Sequence, residues 1–407
     1  MPATLATVAG ILKEIYEPGL RYQLNDDTIA LKRITKTNAN VISEVGAKYV
    51  TFPIHYQRNS GIGARRENET LPTPGNQGTT AARVGLKYEY GGVQLTGQTM
   101  ELVNTNYQTF IDAVDLEMDK LKDDLAKDQN RQVYGNGTGA LATTSTTGTG
   151  TTLTITSGIS QLQIGETVDV HTAATLAADG APKNNAGQII TITNIDPAAG
   201  TITITNSGAA ITLAAGDILV RTGNQNREWT GLGAIVNNSG TLYNIDPVSY
   251  PIWKSVVDSN SGTLRPISEG LILKNVDAVR TNGAKTSLLL TSLGVRRSYF
   301  NLLVQQRTYM GTKTFTGGFE GLAFTTDQGD IPLISDTDCP PGTIYGLSEK
   351  NIKVYREADW SFMDRDGSMW DRVQGKDAYA GTMYQYSELG TDRRNAHFVM
   401  RDITEAT

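Results

Sequence analysis

Three histidines, His55, His171 and His397, are the first candidates for catalysis or metal binding in this chain. Each sits inside a strand-like run rather than in a helical or Cys/Asp ligand cluster, so none has the company a metal site requires. The run Gly135-Asn136-Gly137-Thr138-Gly139 has the composition of a phosphate cradle. It follows a helical pattern, however, whereas nucleotide loops follow a strand and open a helix. Its chemistry is that of a helix C-cap, with Gly135 taking the left-handed conformation. Asp364-Arg365-Asp366-Gly367-Ser368 resembles the start of a calcium loop, but the later ligands are missing at the required spacing, and an Asp-Gly turn accounts for it. Cys339 precedes Pro340-Pro341 with no histidine nearby in sequence, and Arg65-Arg66 and Arg296-Arg297 are isolated basic pairs. No nucleophile, base and orienting group form a set, so the chain is expected to carry no catalytic, cofactor or metal residues and not to be an enzyme.

The elements around these residues are those of a large, turn-rich molecule. With 407 residues, 42 Gly and a Thr-rich middle, two or three domains and much β-structure are expected. One cysteine rules out an internal disulfide framework and fits synthesis in a reducing cytoplasm. Met1 to Gly10 lacks a signal-peptide pattern, and no run of about 18 apolar residues occurs, so neither secretion nor a membrane is expected. A net charge of −6 argues against a protein whose main work is gripping nucleic acid, but does not exclude a container that need not bind its contents tightly.

Along the chain, residues 1 to 45 read as an arm too sparse in apolar groups to close a core alone. Strand patterns at Tyr49 to Tyr56 and Arg83 to Leu95 frame a long polar tip from Arg58 to Ala82. An isolated two-stranded projection is marginal in water, so this one is expected to lie on a neighbouring subunit. Arg58, Arg65, Arg66, Glu67 and Glu69 are its candidate inter-subunit contacts. From Thr105 to Tyr134 runs a spine helix with Phe110, Ile111, Val114, Met118, Leu121 and Leu125 on one stripe. After Gly139 come short runs at Thr152 to Thr156, Thr167 to His171, Gln188 to Ile195, Thr201 to Thr205 and Asp217 to Arg221. These predict a small Greek-key or SH3-like barrel cored by Ile155, Val168, Ile190, Ile192, Ile202, Ile204, Ile218 and Val220. From Trp229 the pattern is mixed, with helices predicted over Leu264 to Arg280 and Gly294 to Gln306 and late strands at Ile352 to Tyr355, Tyr379 to Tyr386 and His397 to Met400.

In this order, the arm, the extended hairpin, the spine helix ending in Val133-Tyr134-Gly135-Asn136-Gly137-Thr138-Gly139, and the segment from Ile331-Pro332-Leu333-Ile334 to Thr343-Ile344-Tyr345-Gly346-Leu347 resemble tailed-bacteriophage major capsid proteins. In that family the glycine loop is commonly followed within a few residues by a Gly-Leu pair. Here the pair is Gly231-Leu232, reached through Trp229, so the residues between are identified as an insertion. Gly135, Gly137, Gly139, Trp229 and Gly231 mark its junction. The resemblance implies an α+β fold with residues 1–45 as N-arm, 46–98 as extended loop, 99–140 and 345–407 as peripheral domain, 141–226 as inserted β-barrel and 227–344 as axial domain. It further implies hexamers and pentamers of this chain in an icosahedral shell, assembled in the host cytoplasm and enclosing double-stranded DNA without sequence-specific binding. A portal and a separate scaffolding protein are implied partners, and a decoration protein is an open one.

Some family members cross-link a loop lysine to an asparagine on another subunit. The tip here has no lysine, so no cross-link is expected. Two other functions compete. An encapsulin-type compartment shell would share the fold but hold cargo enzymes. A β-rich surface adhesin would account for the Thr-rich module but not for the spine helix or the absence of a signal pattern. For the insertion itself, a passive stabilising lobe and an outer decoration that binds a partner both stay open.

Overall fold

The computed structural model describes residues 27–37, 49–98, 107–184, 187–305, 313–315, 319–327, 329–364 and 370–406. Everything is arranged around the spine helix, Tyr107–Tyr134, whose 28 residues span about 40 Å. Its expected start at Thr105 and the side chains of Phe110, Ile111 and Val114 lie outside the described residues. Leu121 and Leu125 meet Gly91 of the strand Lys87–Thr96, where a β-carbon would come within 2.8 Å of Leu125 Cδ1. A residue without a side chain is what lets the strand approach the helix so closely.

That strand corrects the sequence reading of the hairpin. The predicted second limb, Arg83 to Leu95, is two strands with different partners. Gly78–Gly85 pairs with Tyr49–Gln57, whereas Lys87–Thr96 pairs along its whole length with the 14-residue strand Ala378–Thr391. The chain changes partner at Leu86, and the tip shrinks to residues 58–77 because Gly78 to Ala82 are already paired. The long strand also pairs with Ile352–Arg356, which takes the arm's Thr35–Thr37 as a parallel neighbour. The described end of the arm is thus seated in this molecule's own core, with Ile29, Ala30, Leu31 and Ile34 buried.

Residues 140–221 form a closed barrel of six strands. In spatial order they are Ile218–Arg221, Ala140–Thr144, Thr152–Ser157, Thr201–Asn206, Ile190–Asp196 and Thr167–His171, which returns to the first. Ala140–Thr144 is a strand that the Thr/Gly/Ser composition hid. The isoleucine–threonine alternation sorts as period two demands, with Ile155, Ile190, Ile192, Ile202 and Ile204 inside and Thr152, Thr154 and Thr193 exposed. The last strand departs from the expected phase. Its register shifts between Leu219 and Val220, so Leu219 fills the barrel core, Ile218 stays half-buried, and Val220 is buried against Gly139.

A seven-stranded mixed sheet completes the body, in the order Val256–Asp258, Phe398–Met400, Ile344–Leu347, Leu288–Thr291, Gly329–Ser335, Phe319–Thr326, Lys313–Phe315. Helices Glu269–Thr281 and Leu293–Gln305 cover one face through Ile272, Val276, Val279, Val295 and Tyr299, and the other face joins the core around Trp229 and Trp253. The first helix starts five residues later than the predicted Leu264, because Pro266 disfavours an earlier start and Ser268 caps it by accepting from Leu271 N. The expected boundary at 344/345 falls inside a strand of this sheet, and Phe398–Met400 belongs to the sheet as well. The two segments share one sheet.

Candidate functional site

The point at which the most elements meet is the C-terminal end of the spine helix, where the barrel leaves and rejoins the body. Gly135 N–H donates to Gln132 O (3.0 Å), but Gly135 does not take the expected left-handed conformation. That role passes to Gly137 (φ +85°) and Gly139 (φ +81°), because the chain must turn away from the helix axis to run beside the returning segment. A β-carbon at Gly139 would lie 2.8 Å from Asn224 O, and Asn226 N–H donates to Thr138 O (3.1 Å). The returning chain then caps the helix. Gly231 packs so tightly on the last turn that a β-carbon would come 2.3 Å from Gln132 O, and Gly233 N–H donates to Gly135 O (2.9 Å). Carbonyls left over at a helix end need such partners. Trp229, wholly buried, donates its backbone N–H to Gln132 Oε1 at 3.0 Å.

Around this cap runs a buried charge network. Arg131 Nη2 meets Glu228 Oε1 at 2.7 Å and its Nε meets Asp128 Oδ1 at 3.1 Å. From the barrel, Arg221 reaches the same Asp128 oxygen (3.1 Å) and Glu166 (2.7 Å). Burial pushes the Asp128 carboxyl up, but Arg131 and Arg221 outweigh it and hold the pKa down to about 2. Arg131 is raised, because Asp128 and Glu228 outweigh its desolvation. Removing one member of a buried pair leaves an uncompensated charge and costs about 3–5 kcal/mol. The network therefore clamps the barrel to the spine helix.

Two acids at the same junction behave in the opposite way. Glu388, on the long strand, is buried, with Oε1 accepting from Thr230 N (2.6 Å) and Leu389 N (3.1 Å). Glu89 stands across from Gln385, and Gln129 Nε2 donates both to Glu89 Oε2 (2.5 Å) and to Gln385 Oε1 (2.6 Å). Glu89 Oε1 is buried without a hydrogen-bond partner. Burial pushes both carboxyls up to about 8. Between this sheet and the barrel lies a cleft of about 620 Å³ lined by Lys87, Tyr88, Glu89, Asp128, Arg221 and Glu228 among others.

On the far side of the spine helix a second polar cluster holds the arm. Asp336 Oδ2 accepts from Ala30 N (3.0 Å), Asn130 Oδ1 from Leu31 N (3.1 Å), and Lys127 Nζ binds both Asp338 (2.9 Å) and Asp27 O (3.1 Å).

The other sequence candidates scatter. His397 is fully buried, accepting from Ser348 N at Nδ1 and meeting Thr391 Oγ1 at Nε2, and burial holds its pKa down to about 3. His55 meets Gln77 at the hairpin, and buried His171 lies in the barrel. Cys339 is buried and its thiol is pushed up by desolvation. Of the Asp364–Ser368 motif, only Asp364 is among the described residues. At the tip, Arg65 donates to Thr70 O and Ala64 O, and Glu69 accepts from Arg66 N (2.8 Å), so these side chains shape the tip itself. Arg58 lines a separate cleft at the hairpin root. Arg296 and Arg297 are exposed, the latter donating to Ala406 O. Among the described residues no group of three or more His, Cys, Asp or Glu could hold a metal ion, and no helix is long and apolar enough to cross a membrane.

Sequence reasoning missed Arg394. It is 1% exposed and donates to five backbone carbonyls, those of Ala234, Ile235, Ser239, Gly240 and Trp253. It welds the segment after the barrel to the C-terminal strands. No sequence signal marks it, since Asp392-Arg393-Arg394-Asn395 reads as an exposed turn. Asp128, Arg131 and Gln132 had a usable signal, being polar residues at i, i+3 and i+4 on the last turns of a helix.

Residues 209–404 match a family model described as the SU10 major capsid protein. By structure, the chain is similar to a protein of the cyanophage A-1(L) capsid asymmetric unit, with a TM-score of 0.60 and 15% identity over 99% of this chain and 100% of that one. A chain from the capsid of a native GTA particle aligns over 99% of both, with a TM-score of 0.51 and 9% identity. At these identities the likeness is one of fold. No curated protein matches by sequence.

Proposed function

We propose that the chain is a major capsid protein of the tailed-phage type, a structural subunit of a virion's capsid shell, and that it builds a closed icosahedral head around double-stranded DNA. The observation that carries this reading is the hairpin. Tyr49–Gln57 and Gly78–Gly85 lie against the body through Val50, Ala82, Val84 and, near their far end, the Tyr56 ring on Tyr250 (4.9 Å), and the tip beyond them exposes Ile62 (84%) and Leu71 (79%). A projection of this kind is completed by another copy of the chain, and identical subunits in closed symmetry let one tip serve every contact. In this reading Arg58, Arg65, Arg66, Glu67 and Glu69 shape or make that contact.

The proposed division keeps residues 1–45 as arm, 46–98 as extended loop and 141–226 as inserted barrel. The axial (227–344) and peripheral (99–140, 345–407) parts interlock through the seven-stranded sheet. Hexamers and pentamers, a portal, a scaffolding protein and assembly in the host cytoplasm belong to the proposal, as does the absence of catalysis.

Negative-stain microscopy of the full chain, expressed alone and with the head proteins of its phage, tests the reading. Closed shells that protect DNA from nuclease are expected. Particles that hold a cargo protein and no DNA would turn the reading toward a bacterial compartment, and a protein that stays monomeric under both conditions would end it.

A further inference from the structure

Glu89 is an acid whose placement the shell function does not require. It sits on the strand that continues directly from the hairpin, facing the spine helix, with Gln385 opposite it in register. Gln129 bridges the two, serving Glu89 Oε2 and Gln385 Oε1 from one amide nitrogen, with Gln132 beside it, and Glu89 Oε1 is buried with no hydrogen-bond partner of good geometry. An ionised carboxylate with one bare oxygen in a dry site is costly, whereas a neutral carboxyl is tolerated.

The charged groups facing it do not supply a counter-ion. From the spine helix come Asp128, Gln129 and Gln132, and from the returning chain comes Glu228. Arg131 and Arg221 are close by but are held by Asp128, Glu228 and Glu166. On its own strand, Lys87 donates its ammonium to Asn226 O (2.9 Å). The long strand adds Gln385 and a second buried acid, Glu388. On the open side, Glu89 lines the cleft beneath the barrel, so only a small movement of the strand separates the buried Oε1 from the cleft and its water.

We propose that Glu89, Gln129 and Gln385 form a proton-held joint: with Glu89 neutral the base strand of the hairpin is seated on the spine helix, and opening the cleft releases one proton as Glu89 ionises into water. The joint is tight in acid and loosens as the medium becomes neutral. It sets how freely the hairpin swings relative to the body and stands on the fold alone, whatever the shell encloses.

The sign follows from linkage. The seated carboxyl is pushed up to about 8, and the hydrated one has the ordinary glutamate value. Opening is therefore favoured about tenfold per pH unit from roughly pH 5 upward, and the rise levels off above about pH 8.

Hydrogen exchange of the full chain reads this directly. Amides of Lys87–Thr96, corrected for intrinsic base catalysis and referenced to Ile352–Arg356, should gain about one proton's slope between pH 5 and pH 7.5. Glu89→Gln should flatten that slope, and Glu388→Gln should leave the Glu89 contribution in place. A slope that persists in Glu89→Gln, or a flat profile in the wild type, overturns the proposal. Should Glu89→Gln fail to fold, infrared spectra decide. In Glu388→Gln, where the second buried acid is gone, a protonated-carboxyl stretch present at pH 6 and lost above pH 9 supports the joint, and its absence at pH 6 overturns it.

Discussion

The barrel and the hairpin are both β-structures standing off the same body, and they solve the problem of stability in opposite ways. The barrel closes its sheet on itself and buries Leu153, Ile190, Ile192 and Leu219 completely. The hairpin has two strands, alternating half-buried and exposed side chains along Tyr49–Gln57, and a tip braced by local hydrogen bonds of Arg65 and Glu69 and by close approach of its limbs at Gly61 and Gly75. Closure removes edges and supplies a core, so the barrel can be inserted almost as a foreign body. An open pair of strands cannot do this and needs a surface to lie on. Self-sufficiency in one projection and dependence in the other is the division expected of a subunit that carries a lobe and also grips its neighbours.

The largest effect should come from taking the two regions out. A fragment of residues 139–223 should unfold cooperatively on heating, and a peptide of residues 49–85 should show a random-coil circular dichroism spectrum. A folded free hairpin would break the comparison. Excising residues 141–226 and joining the ends should leave shell assembly intact under the microscope, since Trp229, Gly231 and Gly233 remain to cap the spine helix.

Next in size is Leu153→Ala in the barrel core. Loss of about 2–5 kcal/mol is expected in a barrel unfolding transition, with the body's transition unmoved in the same calorimetric trace. Coincident loss of both would show that barrel and body fold as one.

The two regions are coupled at the junction, and acid–base chemistry there should show smaller but directional effects. Glu388 has its folded pKa raised to about 8, so stability falls as pH rises from the ordinary glutamate range through that value. Glu388→Gln should remove this slope and stabilise the body near pH 7 by on the order of 2 kcal/mol in urea titrations. His397 has its folded pKa depressed to about 3, so it contributes stability that is lost as pH falls from about 6.5 toward 3. Arg221→Met cuts the barrel's tie to Asp128, and because Arg221 is 31% exposed the cost should fall well below that of a buried pair, at about 1 kcal/mol, seen as faster hydrogen exchange at Asn224 to Trp229.

The smallest effect on the isolated chain is expected at the hairpin tip. Ile62→Asp with Leu71→Asp should change thermal stability by no more than about 0.5 kcal/mol while abolishing shell formation in light scattering. A large stability loss would mean that the tip packs on its own body. Denaturing gels of mature particles should show single subunits, because the tip has no lysine to form a covalent bond.

Much of this was legible in the residues. The spine helix followed from its 3.6-residue stripe, five of the six barrel strands from short β-branched runs, three of them alternating isoleucine or leucine with threonine, and the way back into the body from Trp229-Thr230-Gly231. The sixth, Ala140–Thr144, was hidden because Leu141 is its only large apolar residue and it runs straight into the Thr/Gly/Ser stretch. Ile218 was assigned to the barrel core because strict alternation was assumed across a register shift. The partner change at Leu86 had no local signal: one continuous alternating run serves two sheets.

The sequence by itself determined the spine helix, most of the barrel strands, and that the middle of the chain could close a core of its own. These depend on periodicity and backbone freedom, which are local. Only the tertiary structure decided that Arg394 is a buried weld, that Asp128 and Glu89, both acids near the same helix end, take opposite proton affinities, and that the arm's base belongs to its own body. Those outcomes depend on which distant residue supplies or withholds a partner in a dry site, and no run of neighbouring residues contains that information.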